Sequence, residues 1–597
     1  MDNENRVGLV DGVVEGSTSK FRVILDEDRY LQLDELVNTS QVLPTGELHT
    51  TYGIVTEVYG RIEGASFPSD TVRIARDQTM PGSAVRTADV KVLRTVPEIW
   101  VPPAPGATVE RARDAHRKNA LYLDQMARPI PVALDNTGEP VFLDFDFLDG
   151  TRGGHVSISG VSGVATKTSF ALHLLYLLLE TNTGREALGI HAAGTRALIF
   201  NVKGEDLLHF DKPSSAYEKR CQKDPDLPHQ WRKLEVDSPG PFHSVRFLAP
   251  LSRHAQGTPC TDVESRPADQ LTPYGWTVYE FIRQGLLRFC FSDVDDSRNQ
   301  LSFVEQRVRV QLARWAFPLE GKPGAVVMIP PTQGVGYNID QLAQKKREPR
   351  PALEGDVVED FRGLVDFLER QLEEGESREW TGGTQAGTVN AFLRRLHAMV
   401  PRFGHLITHR VKSFTLEGSE APTENLIVVD INSLHEDGQR FVVGALLSSI
   451  FSAKERGKRF PLHFVVLDEL NKYAPRHGSS PLKEVLVDIA ARGRSLGVIL
   501  VGAQQSASDV EGAITRNAAI RVVGRLDGAE STADIYRFLT PEVRERATRL
   551  LPGAMILDQP LIPAPIPFRF PFPNYATRAD EVPQLDEVEM EQAFLFR

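Results

Sequence analysis

Residues 155–172 read HVSISGVSGVATKTSFAL. A short apolar strand carrying Val156 and Ile158 runs into Gly160 and Gly163, and Lys167-Thr168 then opens an apolar helix. That order suits a polyphosphate. Glycines let backbone N–H groups crowd around the anion, and the helix N-terminus adds the positive end of its dipole. A lysine then reaches the terminal phosphate oxygens, and a hydroxyl holds Mg2+. The usual spacing is G-x-x-x-x-G-K-[ST]. Here Lys167 lies seven positions after Gly160 instead of six, and Thr166 stands where a glycine is usual. The loop is one residue longer or differently registered. The plainer alternative is a strand–turn–helix in which the two glycines only make the turn.

Outward from this stretch the chain alternates strand and helix, the signature of a parallel sheet flanked by helices. Residues 170–180 are apolar on every face and predict a buried helix. Residues 196–202 read as a strand, and Lys203-Gly204-Glu205-Asp206 follows at its carboxyl end, the edge where ligands of open α/β sheets sit. Strands resume at 425–431, 463–467, 498–502 and 519–523, with a helix over 438–456. Between 265 and 415 the alternation breaks. There 278–291, 303–317, 357–372 and 389–399 show helical spacing, and 322–354, rich in Pro, Gly and Lys, predicts a long mobile loop. At the amino end, 7–14, 21–25, 53–59 and 90–93 read as strands of a small β-barrel. The proline-rich WVPPAPG at 100–106 predicts a linker, and 109–126 a helix. From Gln559 the tail is dense in proline and phenylalanine and is expected to lie extended across another surface.

A composition with 41% hydrophobic and 25% charged residues supplies ample core, and a chain of 597 residues predicts roughly three or four domains. No apolar run approaches membrane-span length, and Met1-Asp2-Asn3-Glu4-Asn5 is polar and acidic. Neither a membrane span nor a signal peptide is expected. Cys221, Cys260 and Cys290 lie far apart without a C-x-x-C pair, which fits a reducing cytoplasm and argues against disulfides or a Cys-based zinc site. The net charge of −12 counts against nucleic-acid binding in bulk, while leaving room for a local basic channel.

A phosphate loop needs a carboxylate on an adjacent strand to hold the metal's water shell. Asp430 follows LIVV and Asp468 follows FVVL, and only the second continues as Asp-Glu. That pair suits hydrolysis, with Asp468 beside the metal and Glu469 polarising the attacking water. Acidic residues are also ordinary at a helix start. Farther on, Arg492-Gly493-Arg494 precedes the strand VILVG and Ala503-Gln504-Gln505. Glutamine at a strand's carboxyl end can bond the γ-phosphate or the water. An arginine offered across a subunit interface stabilises the transferred phosphoryl charge, contributing about 10³–10⁵ in rate. A surface salt bridge is the plainer reading of each arginine. His405 and His409 stand at i and i+4, but Arg402, Arg410 and Lys412 beside them would repel a cation, so a solvated basic face is expected.

The run FVVLDELNKYAP at 464–475, followed by ARGRSLGVILVGAQQSASDVEGAITRNAAIRVVGRLD at 491–527, resembles the HerA branch of the FtsK–HerA ATPases. Those proteins carry a Walker B Asp-Glu, a GR-x-x-G segment and a strand ending in T-Q-x-P-S-D. NVKGED at 201–206 resembles the acidic turn after their second strand, LIVVDINSL at 426–434 their V-I-D-L-S strand, and the β-rich N-terminus their HAS-barrel. The chain departs from them in its longer phosphate loop and in Ala503-Gln504-Gln505-Ser506, where T-Q-R-P is typical.

The resemblance implies an α/β fold, a RecA-like P-loop ATPase domain with an N-terminal β-barrel and a helical insertion. The implied units are a barrel over 1–105, the two parts of the ATPase domain over 106–264 and 416–558, the insertion over 265–415 and an extended arm over 559–597. ATP and Mg2+ are the implied cofactors. The resemblance places Gly160, Gly163, Ala165, Thr166, Lys167, Thr168 and Ser169 at the nucleotide, and Thr168 and Asp468 at the metal. Glu469 is the implied catalytic base, Gln504 the sensor and Arg494 the finger in trans, with Arg525 after AIRVVG as a second phosphate-sensing arginine. It further implies a cytoplasmic homo-hexamer, away from membranes, that pumps double-stranded DNA. The expected partner is a NurA-type nuclease in end resection, or another effector such as a sirtuin-like protein in anti-phage defence. The competing expectation is an ATP-gated scaffold that activates a bound effector with little translocation.

Overall fold

A computed structural model describes residues 5–161, 167–254, 258–291, 300–331, 347–373, 378–412, 414, 416 and 422–583. Six strands close a barrel in the order β1-β2-β5-β4-β3-β6. They are β1 Arg6–Val10, β2 Lys20–Leu25, β3 Leu36–Val42, β4 Leu48–Glu63, β5 Ser83–Val96 and β6 Thr108–Arg111. Val7, Phe21, Val23, Val37, Val90 and Val109 fill its interior, and closure leaves no free edge. The closing strand differs from expectation. Residues 109–126 carry helical spacing, yet Thr108–Arg111 pairs with both β1 and β3, and only Asp114–Ala120 and Leu123–Gln125 are helical. Two open strand edges need backbone partners there, and that demand outweighs local helix preference. The proline-rich segment at 100–106 therefore lies within the barrel's topology: Val10 donates to the Ala107 carbonyl and Gly106 to that of Val10, both at 2.9 Å.

The remaining chain is organised on a twelve-stranded sheet. Its first members are β7 Pro129–Leu134, β8 Pro140–Asp144, β9 Val156–Ser159, β10 Arg196–Asn201, β11 Val245–Pro250 and β12 Thr272–Tyr274. Three short strands, β13 Ala316–Pro318, β14 Val326–Met328 and β15 Asp356–Val358, form a separate sheet. The large sheet then continues with β16 Leu426–Asp430, β17 His463–Asp468, β18 Val498–Gln504, β19 Ile520–Val523, β20 Ala554–Asp558 and β21 Ile566–Arg569.

The order is β12-β11-β16-β10-β17-β18-β9-β19-β20-β21-β7-β8. Neighbours from β12 to β19 are parallel, and those beyond β19 antiparallel. The phosphate-loop strand β9 thus has β19 on one side and β18 on the other, with β18 interposed before β17. This is the strand order of a RecA-like P-loop domain.

Burial explains why the central strands read as unbroken apolar runs. Phe464, Val465, Val466 and Leu467 are all at most 1% exposed, as a parallel strand covered on both faces requires. Val465 and Leu467 face one core layer, Phe464 and Val466 the other. The helix Lys167–Glu180 belongs to the second layer and is apolar nearly all round. Part of its cover comes from the tail. Phe568 and Phe570 pack against Phe170 with ring centroids 5.2 and 5.5 Å apart, and Tyr575 against Tyr176 at 5.7 Å. The proline-rich tail also supplies β21, paired antiparallel with β20. Proline is tolerated there because Pro567 needs to donate no ladder hydrogen bond of its own.

The insertion is helical over Gln300–Trp315, Phe361–Glu373 and Ala386–Phe403. Its core is continuous with the first layer through Phe403, stacked on Phe441 at 4.8 Å. The stretch 322–354, expected as one loop, contains the middle strand β14 of the small sheet; Val326, Val327 and Met328 are buried, which gives them reason to pair. Residues 332–346 of that stretch lie outside the described residues. Among the described residues no helix is long and apolar enough to cross a membrane.

Candidate functional site

The parallel register aligns the carboxyl ends of three strands. Ser159 of β9 pairs with Gln504 of β18, and Ala503 pairs with Asp468 of β17. The chain leaving β9 is pinned at its first step: Gly160 donates to the Gln504 carbonyl at 3.2 Å and Val161 to the Arg525 carbonyl at 2.7 Å. Gly160 has φ +154°, and a Cβ there would lie 3.1 Å from the Arg525 oxygen and 3.3 Å from Gly524 Cα. The conformation favours glycine at this position, and the backbone around it would crowd a Cβ. Gly163, Ala165 and Thr166 lie outside the described residues.

The next turn begins the helix with Lys167, 6% exposed. Its Nζ donates to the Gly160 carbonyl at 2.6 Å. Burial holds the Lys167 pKa below the usual lysine value, with Asp468 opposing that shift. Thr168 Oγ1 donates to Asp468 Oδ2 at 2.7 Å, and the Glu469 N–H donates to Asp468 Oδ1 at 2.9 Å. The Asp468 side chain, from a residue 4% exposed, is therefore held from both oxygens. Ser169 follows, half-buried, in the first helical turn.

Glu469 adopts φ +54°, ψ +45°, a left-handed conformation costing about 1–3 kcal/mol in a residue other than glycine. Its carboxylate pairs with Lys472 one turn on. A third lysine enters from β10: Lys203 Nζ forms an ion pair with Asp468 Oδ2. The sequence reading assigned Lys203 no role. Its signal was the Lys-Gly pair at a strand's carboxyl end, but only the adjacency of β10 and β17 brings it to Asp468.

The structure separates the two aspartates. Asp430, 2% exposed, accepts from Asn201 Nδ2 at 2.9 Å, and its carbonyl accepts from Tyr274 Oη at 2.8 Å. Burial raises its pKa to about 7, with Asn432 and Asn201 opposing. Asp468 instead meets Thr168.

Gln504 is not brought to this cluster. Side chains alternate along a strand, and Ala503, Val501 and Ile499 face the layer that holds the Lys167 helix. Gln504 points the other way, 0% exposed, with Nε2 donating to Ser157 Oγ at 2.8 Å. The next residue, Gln505, is exposed at the strand's end.

Arg494 lies at the opposite edge. It ends the helix Pro481–Leu496, which leads into the amino end of β18. Val498 and Gln504 are the two ends of the seven-residue β18, about 20 Å apart at 3.3 Å per residue step. Arg494 is exposed, and among the described residues no carboxylate pairs with it. Arg492, by contrast, pairs with Glu455 at 2.9 Å and Asp488 at 3.5 Å. Arg525 is also exposed, its Nε donating to the Thr548 carbonyl at 3.2 Å. Among the described residues no group of three metal-ligating side chains forms; burial and nearby Arg253 hold His405 at a pKa of about 4.

The residues present fit magnesium nucleotide. A hydroxyl and a carboxylate oxygen converge as hard donors for a small divalent cation. Beside them a buried ammonium is bonded to a neutral carbonyl, leaving its charge for an anion to neutralise.

No family model and no curated protein matches the chain. Among solved structures it is similar to VirB4 of Thermoanaerobacter pseudethanolicus, with 13% identity and a TM-score of 0.41 over 78% of this chain and 98% of that one. It is similar to the plasmid coupling protein TrwB in complex with the non-hydrolysable ATP analogue ADPNP, with 14% identity and a TM-score of 0.43 over 76% and 93%. The genome packaging NTPase B204 from Sulfolobus turreted icosahedral virus 2 matches over 25% and 69%, with 13% identity and a TM-score of 0.20. Likenesses this remote concern the fold at most, and the functional reading rests on the chain's own residues.

Proposed function

We propose that the chain is a ring-forming ATPase of the FtsK–HerA kind that moves double-stranded DNA, its nucleotide shared between neighbouring subunits. The observation that carries the ATPase reading is the convergence at Asp468. Thr168 bonds its Oδ2, while the buried Lys167 ammonium beside it has a neutral carbonyl as partner. In this reading Lys167 binds the β/γ-phosphates, and Thr168 with Asp468 holds Mg2+. When bound, that ion neutralises developing charge on the phosphate oxygens.

Glu469, whose carboxylate pairs with Lys472 one turn on, orients and deprotonates the attacking water. Arg494 supports the ring. It is exposed, without a paired carboxylate among the described residues, and a strand's length from its own phosphate loop, so the phosphate it serves belongs to the adjacent subunit. Arg525, whose carbonyl already bonds the loop, is the second arginine at the nucleotide. The DNA reading is supported by the resemblance of residues 463–527, and a nuclease or other effector is the expected partner.

Turnover by purified protein, with and without double-stranded DNA, tests this. Wild type is expected to hydrolyse ATP faster with DNA. Glu469→Gln is expected to lose turnover by about 10²–10⁴-fold while keeping nucleotide binding and assembly. Retained turnover in that variant refutes the role of Glu469. Turnover indifferent to DNA and raised by a protein partner replaces the motor with the ATP-gated scaffold.

A further inference from the structure

Lys203 pairs with the carboxylate that the proposed metal site uses. It pairs with Asp468 Oδ2, the same atom that accepts from Thr168. Asp468 Oδ1 is taken by the Glu469 N–H. An ammonium and a divalent cation cannot share Oδ2 without strong like-charge repulsion.

The backbone that delivers Lys203 is firmly held. Its N–H donates to Asn201 Oδ1 at 3.3 Å, and Asn201 Nδ2 donates back to the Gly204 carbonyl at 2.9 Å. Gly204, at φ +56°, donates to Asn432 Oδ1 at 2.9 Å. The side chain is different. It is 46% exposed, and a half-exposed ion pair is cheap to exchange. A fixed turn thus carries a swinging cation on a four-carbon stem.

We propose that Lys203 is a gate for the divalent cation, its ammonium neutralising Asp468 until Mg2+ arriving with nucleotide would compete for that carboxylate and displace the ammonium toward the phosphates. The proposal rests on the nucleotide reading of Lys167 and Thr168. Its consequences have opposite signs. With Lys203 in place, Asp468 does not repel a nucleotide that arrives without metal. Without Lys203, a bare carboxylate faces the phosphates, so metal-free nucleotide binds worse, while Mg2+ meets no competitor and binds better.

The test is a titration of the full chain with fluorescent mant-ADP, in EDTA and across a series of Mg2+ concentrations, for wild type, Lys203→Met, Lys203→Gln and Lys203→Arg. Thermal melting of each variant reports folding. The two neutral variants are expected to bind mant-ADP in EDTA about tenfold more weakly and to reach half-saturation at several-fold lower Mg2+. The arginine variant is expected to keep the EDTA affinity near wild type. Neutral variants that bind as wild type does, or that lose affinity equally with and without Mg2+, overturn the gate. So do neutral variants that both fail to fold, which makes Lys203 a structural residue. Wild type that binds no mant-ADP under either condition overturns the nucleotide reading and the gate with it; wild type that binds while the variants do not differ overturns the gate alone.

Discussion

Asp430 and Asp468 each follow a run of buried apolar residues, LIVV and FVVL, at the end of a parallel strand. Their surroundings give them different chemistry. Asp430 sits among Asn201, Asn432 and Tyr274, and burial lifts its pKa to about 7. An unfolded aspartate loses its proton near pH 4, so between about 4 and 7 the folded state binds more protons. Stability therefore falls as pH rises through that window and levels off above it. Asp430→Asn is expected to flatten the slope: in urea titrations its stability relative to wild type should rise by a few kcal/mol between pH 4 and pH 7.5. Parallel pH profiles would contradict the assignment. The acidic pair at 468–469 was readable in the sequence because Asp-Glu is a local word. Lys203 was not, since its partner lies 265 positions away and the contact depends on which strands become neighbours.

At the scale of elements, the glutamines at the carboxyl end of β18, Gln504 and Gln505, show where reading by pattern stops. Every residue of β18 is buried, and a strand covered on both faces carries no alternation to say which side chain faces which layer. The sequence reading put a sensing glutamine at the carboxyl end of this strand, and the three-dimensional parity puts Gln504 against Ser157 and leaves Gln505 exposed. Gln504→Ala is expected to cost about 1–3 kcal/mol of stability by stripping a buried hydrogen bond, with turnover within a few-fold of wild type. Gln505→Ala is expected to lower turnover at unchanged melting temperature. The reverse pattern, from melting curves and steady-state rates, would support Gln504 as the sensor that the resemblance implies. The same limit explains β6: helical spacing at 109–126 is a local signal, whereas the open edges of β1 and β3 are known only once the barrel is built. The buried helix after Lys167 posed no such difficulty, because an unbroken apolar run needs no partner to be recognised.

On the scale of the whole molecule, the barrel is tied to the part of the chain built on the twelve-stranded sheet by Arg546, whose two Nη atoms donate to Asp34 at 2.9 and 2.8 Å. Asn136 adds a third donor to the same carboxylate at 3.0 Å. Burial raises the Asp34 pKa and the guanidinium opposes it, and the pair joins the barrel to the helix Pro541–Ala547. That sheet presents two unlike edges. One carries Lys167, Thr168, Asp468 and Glu469, and the other carries Arg494, exposed and, among the described residues, without a carboxylate. A ring that sets one edge against the other completes each site with a neighbour's arginine. The decisive measurement mixes two inactive proteins, Lys167→Ala and Arg494→Ala, each expected to lose turnover by about 10³-fold. Shared sites predict that the mixture recovers part of the wild-type ATPase rate, because a Lys167→Ala subunit lends its intact Arg494 to an Arg494→Ala neighbour. A mixture no more active than its two components would contradict the account.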